Sequence, residues 1–217
     1  VESAQNAVRT HADASPDRRG MGTTATIGVI RDGLLYVAQV GDSRLYLIRG
    51  PQIEQLSVDQ TKAQQLLDRG IITQEEADNH PEKGVLAQAL GQQNAVVPGL
   101  VGPRRLEEGD LVFVASDGVF DMVRDDELHG LASEAHRRGV SAAAETLVTF
   151  CVKTDGKDNT TAILARYGAI VPADAAAAPL PVRTRPKTIE DLDLNKVIEH
   201  PAAPSSASSP PPEIYVP

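Results

Sequence analysis

The chain has 217 residues, 41% of them hydrophobic and 24% charged, which is enough for one domain with a sizeable core. Its net charge of −9 leaves no basic surplus to neutralise phosphates and argues against a nucleic-acid partner. The single cysteine, Cys151, excludes an intramolecular disulfide and a cysteine-built zinc site, and no apolar run reaches the roughly 18 residues that span a membrane.

Aromatic residues are scarce, so Val, Leu, Ile and Ala must build the core. Ala4, Ala7, Val8 and His11 in helical spacing predict the end of a helix over residues 1–12, followed by a polar turn to Gly20. The β-branched run Thr23–Ile30 reads as a strand. Arg31-Asp32-Gly33 reads as a hairpin turn, and Leu34–Val40 as its partner, apolar enough to be buried on both faces. Gly41-Asp42 interrupts the pattern and Ser43–Ile48 resumes it, which predicts a sheet of adjacent antiparallel strands. Ala63, Leu66 and Leu67 then mark a helix stopped by Gly70, and Thr73-Gln74-Glu75-Glu76 is a capping box opening another. Val85–Leu90 and Ala95–Val101 are candidate strands. Leu111–Ala115, bounded by turn formers, reads as a buried strand. Asp125–His136 and Ser141–Lys153 read as amphipathic helices, with Cys151 packed on the apolar face of the second. Thr161–Tyr167 reads as the last strand.

Composition changes at Gly168. The last 50 residues hold 10 of the 15 prolines, with low-complexity runs at Ala175–Ala178 and Ser205–Pro212. This predicts a flexible tail or linker over 168–217 after a domain over 1–167. A short amphipathic island, Ile189–His200, suits either a docking motif or a solvated segment.

The strand at 111–115 ends in Ser116-Asp117-Gly118, where a glycine at positive φ would allow a sharp turn. Asp117 then projects from a rigid strand end. Asp42 interrupts two strands in the same way, and Asp158 precedes the last one. Carboxylates so placed are suitable ligands for hard cations such as Mg²⁺ and Mn²⁺. Each also suits a plain turn or bend, with Arg44 either pairing with Asp42 or pointing to solvent. The five histidines show no ligand spacing. Only His80, before Pro81, stands where it could serve either as a proton donor or as an ordinary helix-end residue.

Four segments occur in order: Gly20-Met21-Gly22-Thr23-Thr24-Ala25, Val40-Gly41-Asp42-Ser43-Arg44-Leu45-Tyr46, Ser116-Asp117-Gly118 and Lys157-Asp158-Asn159-Thr160-Thr161. Together they resemble the bacterial branch of the metal-dependent PPM (PP2C-type) protein serine/threonine phosphatases, over residues 1–167. The resemblance implies an α+β fold, a sandwich of two mainly antiparallel sheets flanked by helices. It implies Asp42, Asp117 and Asp158 as ligands of two or three Mg²⁺ or Mn²⁺ ions, with Asp117 and Asp158 catalytic through a metal-bound water that attacks phosphorus without a phosphoenzyme. Residues Ile71–Gly91 resemble the flap that borders the family's active site. Implied partners are phosphoproteins and a Hanks-type Ser/Thr kinase that the phosphatase opposes. The expected setting is cytoplasmic, and the expected state a monomer.

Two family motifs are missing from these residues: an Asn-Glu-Asp segment preceded by an arginine, and Asp-Gly-x-Gly-Gly. The expectation is therefore an N-terminally truncated phosphatase domain that cannot build the full two-metal centre alone and exposes a sheet edge. Where many relatives carry Asp-His or Asp-Asp, this chain has Asp59-Gln60-Thr61, and no role carries over to Gln60. The alternative reading is a non-catalytic, pseudophosphatase-like regulatory module of the same fold.

Overall fold

The strand Arg44–Arg49 (β3) is apolar on both faces, and its alternation divides the molecule into two cores. Leu45 and Leu47 point into one hydrophobic cluster, with Leu35, Val37, Leu106, Val112 and Ala165. Tyr46 and Ile48 point into the other, with Leu111, Phe113, Ala115 and Leu164. The first core lies between two sheets. The second lies between one sheet and a pair of helices.

The computed structural model describes residues 1–123, 125–154, 158–168 and 213–215. Helix α1 (Glu2–Asp13) and a 3-10 turn at Pro16–Arg18 lead into β1 (Ala25–Arg31) and β2 (Leu34–Val40). β3 and the short β4 (Gln52–Gln55) follow, then α2 (Lys62–Asp68), α3 (Gln74–Asp78) and β5 (Gly99–Arg105). The remaining elements are β6 (Leu111–Ala115), α4 (Asp117–Phe120), α5 (Asp125–Arg138), α6 (Val140–Thr154), β7 (Ala162–Arg166) and β8 (Glu213–Tyr215). The strands form a three-stranded sheet, β1-β2-β5, and a five-stranded sheet, β4-β3-β6-β7-β8, antiparallel throughout. This is the expected α+β sandwich. β1 and β5 are the edges of the smaller sheet.

Leu128, Leu131 and Ala135 on α5, and Ala143, Leu147 and Cys151 on α6, close the second core against Phe113 and Leu164. Each fully buried Leu or Phe contributes about 1.5–3 kcal/mol by leaving water. Cys151 is buried there, and burial pushes its thiol above the ordinary range, which suits packing rather than reactivity. Among the described residues, no helix is long and apolar enough to cross a membrane.

Several expectations change. β2 does not pair with β3: Gly41–Ser43 carries the chain from one sheet to the other, so consecutive strands face each other across the sandwich. β2 is not buried on both faces, because Leu35 and Val37 serve the core while Tyr36, 40% exposed, lies on the outer face of the small sheet beside Val29. No strand forms over 85–90. Leu86 and Leu90 make only isolated bridges, to Thr61 and Thr23. The strand expected at 95–101 starts at Gly99 and runs to Arg105. β7 is not the last strand, since Glu213–Tyr215 pairs with it, Tyr215 opposite Leu164. Most of the expected tail, including Ile189–His200, lies outside the described residues.

Candidate active site

The turn carrying Asp42 is held by a ring of side chains. Gln39, buried in β2, donates to the carbonyls of Gly41 at 2.9 Å and Ser43 at 3.2 Å. Thr26 donates to the Ser43 carbonyl at 2.6 Å, and the Thr24 and Ser43 hydroxyls meet at 2.9 Å. Gln60 accepts from the Gly41 amide at 2.9 Å and donates to the Val97 carbonyl at 3.2 Å. Gly41 adopts φ 101°, and a Cβ there would sit 2.4 Å from a Thr24 methyl, so the turn requires glycine. Asp42 thereby leaves the end of β2 in a fixed direction.

Asp117 opens the single turn of α4, directly after β6. Its carboxylate accepts from the Gly118 amide at 2.9 Å. Gly118 does not need positive φ, as the turn reading expected; it needs space. A Cβ would lie 2.8 Å from the Asn159 carbonyl oxygen. Ser116 ties the two segments together: its amide donates to the Thr161 carbonyl at 3.0 Å, its hydroxyl donates to the Asn159 carbonyl at 3.2 Å and accepts from the Thr161 amide at 3.1 Å. The segment beginning at Asp158 is therefore stitched to the turn that carries Asp117.

A groove of about 420 Å³ opens over these turns. Asp42, Arg44, Asp59, Asp117 and Phe120 line its inner part, and Gln64, Gln74, Asp78 and Lys83 line the opposite wall. That wall is the excursion between β4 and β5. Thr61 caps α2 by accepting from the Gln64 amide, and the Thr73–Glu76 capping box starts α3 as its sequence predicts. The Lys62 amide donates to the Val85 carbonyl, and the Ala87 amide to that of Gln60, closing the excursion at its base.

Two carboxylates in one groove repel. Burial, and next the Asp117 carboxylate, push Asp42 up to about 6 from an ordinary 3.8. A divalent cation between them would reverse both effects, so this donor pair fits a hard metal ion. Arg44 does not neutralise Asp42 directly. It grips Asp59 and lies 5.2 Å over the Phe120 ring.

The family model described as Protein phosphatase 2C matches residues 1–66. Protein phosphatase PhpP of Streptococcus pneumoniae is 37% identical over 146 residues, covering 67% of this chain and 58% of PhpP. The crystal structure of the PPM Ser-Thr phosphatase MsPP from Mycobacterium smegmatis, in complex with cacodylate, superposes with a TM-score of 0.62 at 32% identity, covering 75% of this chain and 70% of that one. The chain belongs to the PPM family of protein phosphatases. Another solved structure, the catalytic domain of the serine/threonine protein phosphatase PstP in complex with two manganese ions, superposes with a TM-score of 0.60 at 29% identity, covering 74% of this chain and 64% of that one. The chain spans 58% of the length of the curated relative PhpP.

Of the three aspartates singled out in this PPM chain, Asp42 and Asp117 line the same groove. Asp158 stands at the entry to β7, exposed, its carboxylate accepting from the Asn159 amide at 2.6 Å, and is not among the residues lining the groove. Among the described residues, no group of three or more His, Cys, Asp or Glu side chains converges closely enough to hold a metal ion. His80 also lies outside the groove lining; its Nδ1 accepts from the Glu82 amide at 3.1 Å. The Arg44–Asp59 pair and the bracing role of Gln60 were not foreseen. The only sequence signal was their place, in the Gly-Asp-Ser-Arg and Asp-Gln-Thr segments.

Proposed function

We propose that this chain carries the greater part of a protein serine/threonine phosphatase site, which hydrolyses phosphoserine and phosphothreonine on proteins using Mg²⁺ or Mn²⁺. The reading rests on one observation above all: Asp42 and Asp117, from two different sheet-end turns, line the same groove. Asp42 and Asp117 would hold a metal ion from the groove, and Asp158, outside the groove lining but on the segment that Ser116 bonds to the Asp117 turn, is the third proposed ligand. The two manganese ions in complex with the PstP catalytic domain support this donor chemistry. Bound divalent cations supply the positive charge that phosphoryl transfer to water requires.

The chain's own contribution is orientation. The ring of Gln39, Thr24, Thr26 and Gln60 fixes Asp42, and the close approach of Gly118 to Asn159 fixes Asp117. The α2–α3 wall shelters the groove from bulk water on one side. Phosphoproteins are the proposed substrates, and a Hanks-type kinase is the proposed opposing enzyme. The proposed setting is the cytoplasm, with the protein acting as a monomer.

The test is phosphate release from a phosphothreonine peptide by the full-length gene product with and without Mn²⁺, beside its Asp117→Ala variant, with Mn²⁺ binding followed by calorimetry. Mn²⁺-dependent release that collapses in the variant, together with weaker Mn²⁺ binding, is the expected result. A folded protein that neither binds Mn²⁺ nor releases phosphate overturns the reading and leaves the regulatory module.

A further inference from the structure

The groove carries more charge than metal binding uses. Asp42 and Asp117 face the proposed cations, and Asp59 is committed to Arg44. Three charged residues at the rim remain: Asp78 at the end of α3, Lys83 in the loop beyond it, and Asp121 just after α4. Lys83 Nζ stands 3.8 Å from Asp121 Oδ1, and both side chains are more than half exposed. This contact joins the α2–α3 wall to the side of the groove that carries Asp117. An exposed pair of that length is worth at most about 1 kcal/mol, so a better partner exchanges with it readily. Asp78 accepts a hydrogen bond from Gln74 Nε2 at 2.8 Å, a neutral partner that leaves its charge in place.

We propose that Asp78 and Asp121 are specificity-determining residues that select phosphorylated segments carrying an Arg or Lys next to the phosphoserine or phosphothreonine, with Lys83 as the internal cation that this side chain displaces. The proposal rests on the phosphatase reading of the groove. Its logic is electrostatic. The rim offers two carboxylates and one ammonium, and the ammonium already lies against Asp121. An acidic neighbour on the substrate would meet the charge of Asp78, for which the described residues supply only the neutral Gln74 amide. A guanidinium would instead gain a forked, charge-assisted contact with Asp121, which the single ammonium of Lys83 at 3.8 Å does not make. Discrimination therefore comes from attraction on one side and repulsion on the other. A direct contact of Lys83 to the substrate phosphate would predict the opposite effect when it is removed.

The experiment measures fluorescence anisotropy of labelled short peptides on the protein in Mn²⁺. The peptides carry a hydrolysis-resistant phosphonate analogue of phosphothreonine flanked by Arg, Ala or Glu, and an unphosphorylated Arg peptide serves as control. The Arg peptide is expected to bind about three- to tenfold more tightly than the Glu peptide, the range that one or two exposed charge contacts supply. The Asp78→Asn/Asp121→Asn double variant, altered only at exposed positions, is expected to bring that ratio close to one while keeping the preference for phosphorylated over unphosphorylated peptide. Lys83→Ala is expected to tighten the Arg peptide selectively. Equal affinities for the three phosphopeptides, a ratio unmoved in the double variant, or a uniform loss of all three in Lys83→Ala overturns this proposal and leaves the phosphatase reading intact. Loss of any phosphate-dependent binding overturns both.

Discussion

Arg44 holds Asp59 with three hydrogen bonds: Nε reaches both carboxylate oxygens at 3.0 Å, and Nη2 reaches Oδ2 at 2.7 Å. The pair joins the residue two positions after Asp42 to the entry of the α2–α3 wall, and so links the two sides of the groove. Arg44 Nη1 also approaches the Tyr46 hydroxyl at 3.4 Å. Because the pair is partly buried, removing either partner strands the other. Arg44→Lys, which cannot reproduce the fork or the stacking on Phe120, is expected to cost about 1–2 kcal/mol. Asp59→Asn should cost a similar amount. In urea denaturation, the double variant should lose less than the sum of the two, with a coupling of about 1 kcal/mol or more. Strict additivity would mean that the two residues act independently.

Asp42 makes the metal-free protein sensitive to pH. Its folded pKa of about 6 lies above the ordinary 3.8, chiefly through burial and then through Asp117. The fold therefore binds this proton more tightly than the unfolded chain does. The stability it contributes is fully present below about pH 4 and is lost as pH rises through about 6. In EDTA, the stability of the wild type minus that of Asp42→Asn is expected to fall across this window and then level off. Parallel profiles for the two proteins would show that Asp42 carries no such burden. Adding Mn²⁺ at neutral pH should raise the wild-type melting temperature and leave that of Asp42→Asn much less changed.

What could be read from the sequence follows from how local each signal is. Leu34–Val40 and Leu111–Ala115 emerge with their full bounds because apolar runs end there against Gly, Asp or Ser. The Thr73–Glu76 box is a contact within four residues and forms as written. β4 was missed because Gln52-Ile53-Glu54-Gln55 holds one apolar residue, and pairing with β3 alone makes it a strand. Val85–Leu90 misled for the opposite reason: its apolar residues serve two isolated bridges to distant segments. The aspartates of the site were legible as carboxylates at strand ends. Which cation Asp59 meets was not, since 15 residues, with the turn to β4 and β4 itself between them, separate it from Arg44. The same holds for Gln60, whose amide braces Gly41 and Val97 from opposite ends.

Gly118 tests the packing behind Asp117. Alanine there places a methyl 2.8 Å from the Asn159 carbonyl oxygen, and backbone rather than a flexible side chain must give way. Overpacking of this kind costs about 1–3 kcal/mol. It also pushes the turn of Asp117 away from the segment of Asp158. Gly118→Ala is expected to lower the urea midpoint and to weaken Mn²⁺ binding in calorimetry. Ser116→Ala removes hydroxyl bonds between the same two segments without adding bulk, and should weaken Mn²⁺ binding with a smaller loss of stability. Unchanged Mn²⁺ affinity in both variants would show that the spacing of the two segments is irrelevant to the metal.

Gln60 separates two functions of one side chain. Its Oε1 accepts the Gly41 amide and its Nε2 donates to the Val97 carbonyl. Gln60→Glu keeps an acceptor for Gly41 but loses the donor to Val97, and adds charge near Asp59. Gln60→Met keeps the length and loses both bonds. If the contact with Gly41 is what matters, Gln60→Met should lose about 1–2 kcal/mol in urea denaturation, the cost of leaving a partly buried amide unpaired. Gln60→Glu should then retain most of the stability, since a carboxyl oxygen still accepts the Gly41 amide; at low pH its O–H can also donate to Val97, and a loss as it ionises measures repulsion by the Val97 carbonyl and Asp59 rather than the Gly41 contact. Hydrogen exchange at Gly41 gives an independent measure: protection should fall in Gln60→Met and persist in Gln60→Glu at acid pH. Equal protection in both variants would show that Gln39, Thr26 and Ser43 hold the Asp42 turn without Gln60.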